Sequence, residues 1–330
     1  MPVFVPHAGC PHDCSFCNQR TISGTQAPPS PRAAAQVFAS ARESLGERVR
    51  SAQLAFFGGS FTAIDPACRR ALLEAARPFL GLDGFRSIRV STRPDAVTPA
   101  ILDELAAHGV DTVELGVQSM RDEVLARNRR GHTAADVERA SALLRERGFR
   151  LGHQMMTGLP GDDDAGALAT AERIIALGPD MVRIYPTLVL GGTLLEQWYR
   201  QGSYAPPPLE DTVALGARLL LRFAAAGIPV IRLGLHDEPG MEVTAGPHHP
   251  ALRELCESRL LLEAALRRAE QARIPRGPLV LRVHPGCVSR MTGQRRANLH
   301  TLEGMGYAAR VVPDEGVPPM EVKATGIGNE

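Results

Sequence analysis

Short apolar runs alternate with longer amphipathic stretches from residue 1 to about residue 235. Apolar runs of a few residues that are bounded by turn residues are typical of buried strands. Residues 229–235 form either a seventh such strand or an exit segment. The six strands that the pattern predicts before them lie at residues 3–6, 52–58, 87–92, 112–117, 151–156 and 181–186.

The amphipathic stretches between these runs predict helices. Most of them open with Ser, Thr, Asp or Pro, and several close at Gly, as helix caps do. A strict alternation of strand and helix implies a parallel sheet with right-handed crossovers. We therefore predict an α/β fold, a partial (β/α)6 TIM-like barrel, with a doubly wound open sheet as the alternative. In either architecture, ligands bind beyond the C-terminal ends of the strands.

A Gly/Pro/His-rich break at residues 239–250 ends the alternation. A helical stretch follows the break, and after it come a strand, a helix and two further strands. We therefore predict two domains, a partial-barrel core at residues 1–238 and a small C-terminal α/β extension at residues 239–330.

Composition narrows the class of protein. The chain has 37 Lys and Arg against 36 Asp and Glu, so no global charge points to a nucleic acid or a membrane. No apolar run approaches the roughly 20 residues that a membrane helix needs. Residues 1–10 lack the features of a signal peptide. We expect a cytoplasmic protein without a membrane partner, in which thiols stay reduced.

Three of the six cysteines lie directly after the first predicted strand. Cys10, Cys14 and Cys17 form the pattern C-x3-C-x2-C, and in a reducing compartment such a group is more often metal-binding or catalytic than disulfide-bonded. A zinc site would take its fourth ligand from His7 or His12. A redox pair would leave one thiol without a role, and chance clustering of structural cysteines is a further interpretation. The remaining interpretation is a [4Fe–4S] cluster with three cysteine ligands and one open iron.

Small and polar residues recur at the ends of the later strands. Two adjacent glycines at a strand end let the backbone come close to a ligand. A glutamine side chain both donates and accepts hydrogen bonds, as contact with ribose hydroxyls requires. The segments concerned are FFGGS (56–60), STRPD (91–95), ELGVQS (114–119), QMMTGLPG (154–161) and RIYPTLVL (183–190).

The cysteine motif, with Phe16 as the aromatic residue before its last cysteine, resembles the signature of the radical S-adenosylmethionine (radical SAM) superfamily. The resemblance implies that Cys10, Cys14 and Cys17 hold a [4Fe–4S] cluster and that the open iron binds the amino and carboxylate groups of SAM. It further implies an electron donor such as flavodoxin or ferredoxin, since reduction of the cluster cleaves SAM to a 5′-deoxyadenosyl radical. Phe16 would lie beside the bound cofactor.

The resemblance extends to the contacts that SAM makes at the strand ends. It implies that Gly58, Gly59 and Ser60 form the site for the amino group of SAM. Ser91 would approach the methionyl part or the ribose, and Tyr185 would lie beside the adenine or the substrate.

Two further strand ends and one turn complete this predicted SAM site. Gln118 is assigned to the ribose hydroxyls. Arg130, with Arg127 and Arg129 as neighbours in the same register, falls where oxygen-independent coproporphyrinogen oxidases have an arginine for the SAM carboxylate. Gln154 stands where those enzymes have an aspartate. No catalytic residue is assigned.

The combination of these segments most resembles the radical SAM region of the Elongator catalytic subunit and its bacterial relatives, over roughly residues 1–235. That family modifies wobble uridines of tRNA, so the resemblance implies a tRNA base as substrate. We expect no acetyltransferase domain within 330 residues and assign no acetyl-CoA. The alternatives are a radical SAM oxidoreductase for a small, tetrapyrrole-like molecule and, in a different class, a zinc-binding RNA or protein adaptor.

The C-terminal part carries weaker signals. Thr292, Arg295 and Arg296 precede a predicted helix and form a candidate phosphate site, with solvated arginines as the alternative. His284 and Cys287 are a candidate second metal site, although ordinary loop residues are the favoured interpretation.

Overall fold

The computed structural model describes residues 2–5, 10, 13–17, 29–235 and 241–326. Its strands are β1 (Pro2–Val5), β2 (Gln53–Gly58), β3 (Ser87–Thr92), β4 (Val110–Gln118), β5 (Arg150–Thr157), β6 (Met181–Pro186), β7 (Val189–Leu190), β8 (Val230–Leu233), β9 (Val243–Ala245), β10 (Gly277–Val283), β11 (Tyr307–Pro313) and β12 (Val322–Gly326). Its α-helices are α1 (Pro31–Leu45), α2 (Pro66–Ala76), α3 (Pro99–Ala107), α4 (Asp122–Arg127), α5 (Ala134–Glu146), α6 (Asp164–Leu177), α7 (Leu194–Arg200), α8 (Leu209–Ala225), α9 (Leu252–Gln271), α10 (Val288–Thr292) and α11 (Ala297–Gly304).

Seven parallel strands form a curled half-barrel with helices around it. The order in the sheet is β1-β2-β3-β4-β5-β6-β8, which follows the order of the chain. A doubly wound sheet reverses its strand order at a switch point, and this sheet has no reversal. The partial barrel is therefore confirmed, and the doubly wound alternative is wrong. Residues 229–235 supply a seventh strand, β8.

The strands alternate between an outer apolar face and an inner polar face. On β4, Val113, Leu115 and Val117 are fully buried, as expected for side chains that pack under the surrounding helices. Glu114 and Gly116 lie between them and point to the concave side. The concave side of the sheet therefore carries polar residues such as Glu114.

Local capping explains where the helices begin and end. Thr98, Thr133 and Asp163 accept hydrogen bonds from backbone N–H groups in the first turns of α3, α5 and α6. Gly178 ends α6 in the left-handed conformation, with φ of 62°. These caps return the chain to the start of the next parallel strand.

The sequence pattern does not predict the short elements β7, β9, α4 and α7. β7 and β9 pair antiparallel, so part of the Gly/Pro/His-rich break is a strand. Two- and three-residue strands have too few alternating positions to be recognised by periodicity.

The chain divides into two compact units. The first contains residues 1–208 and 222–248, and the second contains residues 209–221 and 249–330. The predicted domain boundary at 238/239 remains a prediction.

The second unit has its own sheet and core. Its strand order is β11-β10-β12, with β10 parallel to β11 and antiparallel to β12. Leu261 and Ala265 of α9 belong to one buried cluster with Leu279, Leu281 and Leu302. The α/β composition predicted for the C-terminal part agrees with these elements. Within the described residues, no helix is long and apolar enough to cross a membrane.

Candidate functional site

The cysteine loop follows β1 at the C-terminal edge of the half-barrel. Cys14 is buried, while Cys10, Phe16 and Cys17 are half-buried. The Cys17 N–H donates to the Cys14 carbonyl at 3.1 Å, which closes a tight turn between these two cysteines. The predicted zinc ligands His7 and His12 lie outside the described residues.

A buried pair of residues fixes this loop from outside. The Ser15 Oγ donates to Asn128 Oδ1 at 2.7 Å, and the Ser15 N–H donates to the Asn128 carbonyl at 3.1 Å. The Asn128 Nδ2 donates to the carbonyls of Val124 and Pro160 at 2.8 and 3.0 Å. The loop is therefore connected both to the end of α4 and to the turn after β5.

The end of β2 meets the cysteine loop at Cys10. Gly58 adopts a φ of 109°, which favours glycine, and the chain then runs through Gly59 to Ser60. The backbone of Ser60 forms a hydrogen bond with the Cys10 thiol. The fully buried Ser60 side chain also forms a hydrogen bond with Thr92 Oγ1 at 2.9 Å and accepts one from the Arg93 N–H at 3.2 Å. The strand ends of β2 and β3 are thereby joined beside Cys10.

The end of β4 is an irregularity that aims Gln118 into the site. The register between β4 and β5 shifts between Gly116 and Gln118, and Gln118 has a φ of 64°. Positive φ at a non-glycine residue is uncommon and is often found at functional sites. The buried Gln118 Oε1 has no hydrogen-bond partner among the described residues. An unsatisfied buried acceptor at a strand end fits a site for a ligand hydroxyl.

Arg130 connects the end of β4 with the cysteine loop. Its Nη1 donates to the Cys14 Sγ at 3.4 Å and its Nη2 to the Gly116 carbonyl at 2.7 Å. Arg130 is buried, whereas Arg127 and Arg129 are exposed, so only the predicted residue of the three turns inward. Its contact with a SAM carboxylate stays a prediction.

Burial and neighbouring charges act in opposite directions on the thiols of the site. Burial and the neighbouring Cys14 raise the pKa of the Cys10 thiol, and the charges of Arg130 and Arg93 act in the opposite direction. Burial and the charge of Arg130 lower the pKa of His132 to about 4, so His132 is neutral at neutral pH. The two arginines therefore supply positive charge beside the thiols.

The donor set fits an iron–sulfur cluster in part. Cys10 and Cys14 lie close enough to interact as charges, and each sulfur faces an N–H donor, as the sulfurs around such clusters commonly do. In the described ranges, no three His, Cys, Asp or Glu side chains are gathered at metal-binding spacing. The structure therefore brings Cys10 and Cys14 together, and a cluster held by all three cysteines stays a prediction.

Gln154, Ser91 and Tyr185 lie on the concave face, below the strand ends. The Gln154 Nε2 donates to Glu114 Oε2 at 2.8 Å, so Gln154 is engaged with a carboxylate. Ser91 is half-buried and lies opposite Glu114 in the β3–β4 register. Burial raises the pKa of Tyr185, which keeps its hydroxyl protonated.

The sequence analysis missed the ion-pair cluster on this face. Glu114 pairs with Arg89 at 2.5 Å and with Arg183 at 2.6 Å. Burial alone would raise the pKa of Glu114, but hydrogen bonds and charge from Arg183, with Arg89 and Gln154, hold it below its usual value. One signal was available, because SIRVST, TVELGV and MVRIYP each place one charged residue inside an apolar strand.

The candidate second metal site does not form among the described residues. The His284 Nδ1 accepts from the Gly286 N–H at 3.1 Å, and the Cys287 Sγ accepts from the Met320 N–H at 3.4 Å. Each of these two residues therefore has a structural hydrogen bond to the backbone. Arg295 and Arg296 are exposed, and the helix that follows them starts at Ala297.

Comparison with known families agrees with the fold. The family model described as "Radical SAM superfamily" matches residues 4–174, and the one described as "Radical_SAM C-terminal domain" matches residues 179–261. The first match covers more than half of the chain. The chain belongs to the radical SAM superfamily, and it is an enzyme.

Individual relatives point to one branch. A tRNA uridine(34) acetyltransferase of Dehalococcoides mccartyi is 29% identical over 290 residues, covering 76% of this chain and 62% of that protein. The human Elongator complex protein 3 is 29% identical over 238 residues, covering 66% of this chain and 43% of that protein. The structure of an archaeal Elp3 from Methanocaldococcus infernus superposes with a TM-score of 0.58 at 21% identity, covering 83% of this chain and 63% of that one. The chain thus spans less than two thirds of the length of these relatives, and the similarity covers their radical SAM region.

Proposed function

We propose that this chain is a radical SAM enzyme that binds a [4Fe–4S] cluster and SAM at the C-terminal edge of its half-barrel and acts on a base of tRNA. The main support for the proposal is that Arg130 contacts both Cys14 and Gly116. Its Nη1 lies 3.4 Å from the Cys14 Sγ, and its Nη2 lies 2.7 Å from the Gly116 carbonyl oxygen. One side chain thus joins the predicted cluster loop to the predicted SAM site.

Cys10, Cys14 and Cys17 would hold the cluster. A site-differentiated cluster of this kind supplies an open iron that binds SAM and, once reduced, cleaves it. The chain's own part is to keep the loop in place through Ser15 and to direct N–H groups of Ser60 and Arg130 at two of the sulfurs. Phe16 would cover one side of the bound cofactor.

The strand ends would bind SAM. Gly58, Gly59 and Ser60 leave room for its amino group, since Gly58 brings the backbone close without a side chain. The Gln118 Oε1 would accept from a ribose hydroxyl, and the buried Arg130 Nε–H, which has no hydrogen-bond partner among the described residues, would donate to the carboxylate.

Ser91, Gln154 and Tyr185 would complete the site on the concave side. The Ser91 hydroxyl would face the methionyl part or the ribose. Gln154 would reach the cofactor with its amide oxygen or with the second N–H of its Nε2, because one N–H is bound to Glu114. Tyr185 would contact the adenine or the substrate.

The tRNA substrate is supported by the names of the relatives. The Dehalococcoides mccartyi protein is a tRNA uridine(34) acetyltransferase. This chain is similar to it over 290 residues, which include the radical SAM region. A tRNA substrate would locate the reaction in the cytoplasm, with flavodoxin or ferredoxin as the class of electron donor.

The experiment compares tRNA nucleosides by mass spectrometry in cells that lack the protein and in cells that express wild type or Cys14→Ala. The proposal predicts one modified uridine that disappears without the protein, returns with wild type and stays absent with Cys14→Ala. An unchanged nucleoside profile together with a changed small metabolite would overturn the tRNA substrate and favour the small-molecule alternative. One zinc and no iron in protein purified without oxygen would instead support the zinc-binding adaptor.

A further inference from the structure

A layer of charged and polar side chains crosses the concave face of the half-barrel below the strand ends. It consists of Arg89 on β3, Glu114 on β4, Gln154 on β5 and Arg183 on β6. Glu114 is 1% exposed, whereas the side chains of Arg89 and Arg183 keep 15% and 20% of their surface exposed. The carboxylate is therefore enclosed, and the two cations still reach the concavity.

Glu114 is saturated by donors from its own layer. Its Oε1 accepts from Arg89 Nη1 at 2.5 Å and Arg183 Nη2 at 3.0 Å. Its Oε2 accepts from Arg183 Nε at 2.6 Å and Gln154 Nε2 at 2.8 Å. With two bonds on each oxygen, the carboxylate orients the guanidiniums and has little capacity left for a ligand.

The layer carries more positive than negative charge. Arg89 and Arg183 face the single carboxylate of Glu114, which leaves an excess of one positive charge in the described part of the layer. The high pKa of Tyr185 keeps this residue neutral, so it does not offset the excess. Uncompensated charge in a partly enclosed site is costly unless a counter-charge binds there.

The arrangement around Arg183 is suited to an oxyanion. Glu114 uses Nε and Nη2 of Arg183 and leaves the Nη1 group to other partners. The Tyr185 hydroxyl is in hydrogen-bonding contact with the same guanidinium. The Phe57 ring lies 5.4 Å from the guanidinium carbon and limits its movement. A fixed N–H fork beside a phenolic O–H is a pair of donors that carboxylate and phosphate groups bind.

The Arg89 Nε and Nη2 donate to Gln53 Oε1 at 3.0 and 2.7 Å, so Arg89 contributes charge to the layer while Arg183 has N–H groups for a ligand. We propose that Arg183 and Tyr185, beside the charge of Arg89, bind an oxyanion of the substrate, a carboxylate or a phosphate, on the floor of the half-barrel. This inference rests on the proposed function, because it places the substrate in the concavity below the predicted SAM site. It adds the chemical class of the group that the substrate presents there. Arg130 at the strand-end edge is separate from this layer and remains the candidate for SAM.

The test uses the full chain with its cluster reconstituted and with saturating SAM, so that the predicted SAM carboxylate site is filled. Inorganic phosphate, acetate and the neutral isostere acetamide are titrated while the Nε–Hε signals of Arg89 and Arg183 are followed by NMR. We expect saturable shifts with acetate or phosphate and none with acetamide. The preferred anion distinguishes a carboxylate substrate from a phosphate substrate.

Two variants separate this inference from a purely structural role. Glu114→Gln removes the competing negative charge and should tighten anion binding by about tenfold, whereas Arg183→Gln should weaken it by at least about tenfold. Both substitutions perturb the same buried cluster, so opposite effects on affinity cannot come from misfolding. Arg86→Gln, an exposed arginine before β3, is the matched control and should leave affinity unchanged.

Two results would overturn the inference: no saturable shift with either anion in the presence of SAM, or a change in the same direction in both variants. Formation of 5′-deoxyadenosine without substrate is measured on the same samples. If wild type cleaves SAM and binds no anion, the inference fails and the proposed function stands. If wild type binds the anion but does not cleave SAM, the proposed function fails.

Discussion

Asn128 and Ser15 form a fully buried pair that holds the cysteine loop against the end of α4. The side chain and the backbone of Ser15 both donate to Asn128, at 2.7 and 3.1 Å. The side-chain amide of Asn128 is completely used, because its Nδ2 donates to two backbone carbonyls. The position of Cys14 therefore depends on a residue more than a hundred positions away in sequence.

Ser15→Ala should destabilise the protein and loosen the loop. It leaves the buried Asn128 Oδ1 without its donor, which costs about 1–3 kcal/mol. We expect a lower thermal midpoint for the cluster-free protein and less iron retained after reconstitution. Ser44→Ala removes an exposed hydroxyl from α1 and serves as the matched control. Equal midpoints and equal iron content in both variants would show that the pair does not position the loop.

Arg130→Gln should weaken SAM binding more than it weakens the fold. Arg130 contacts both Cys14 and the Gly116 carbonyl, so its replacement removes a cation from the predicted site of the SAM carboxylate. Charge-assisted hydrogen bonds contribute about 1.5–3 kcal/mol, and SAM affinity should therefore fall at least about tenfold. Equilibrium binding of SAM to reconstituted protein measures this. Arg127→Gln, at an exposed position one turn earlier, should bind SAM as wild type does; a matching loss in both variants would contradict the assignment.

Gly116→Ala should displace two predicted SAM contacts at once. A Cβ at this position would lie 3.1 Å from Gln118 Nε2 and 3.2 Å from Arg130 Nη2. Both side chains must shift by a few tenths of an ångström, and a site that depends on their placement loses affinity. We expect weaker SAM binding with a small change in the thermal midpoint. Gly304→Ala, where nothing lies within 4 Å, is the control, and unchanged SAM affinity in Gly116→Ala would separate these residues from SAM.

His153 should make the stability of the protein fall at acidic pH. It is buried beside Ser141, and burial lowers its pKa to about 3. The unfolded chain takes up a proton near pH 6.5 and the folded chain does not, so stability declines as the pH falls from about 6.5 to about 3, by up to about 1.4 kcal/mol per pH unit. Urea unfolding at several pH values measures this slope. His153→Asn should flatten it, whereas the exposed His300→Asn should not; equal slopes would contradict the account.

The sequence predicts the barrel well because its strands depend on local patterns. Apolar runs bounded by caps identify β2 to β6 to within about two residues, the usual uncertainty of such boundaries. The left-handed Gln118 was not predictable, since its conformation comes from a register shift against a neighbouring strand. The choice of Arg130 over Arg127 and Arg129 likewise depends on the short helix α4, whose end turns one side chain inward.

The ion-pair layer shows the same limit. Arg89, Glu114 and Arg183 are each visible as a charged residue within an apolar strand, but they lie far apart in the sequence. Only the pairing of β3 through β6 brings them into contact. Local patterns therefore predict the elements, and the strand register determines the electrostatics of the concave face.

Formation of 5′-deoxyadenosine tests the central claim most directly. Wild-type protein, reconstituted with iron and sulfide without oxygen and supplied with dithionite and SAM, should release 5′-deoxyadenosine and methionine. Cys10→Ala, Cys14→Ala and Cys17→Ala should each release none, while Cys68→Ala, on the outer helix α2, should match wild type. The account is contradicted if wild type with about four irons per chain makes no 5′-deoxyadenosine, or if Cys14→Ala makes as much as wild type.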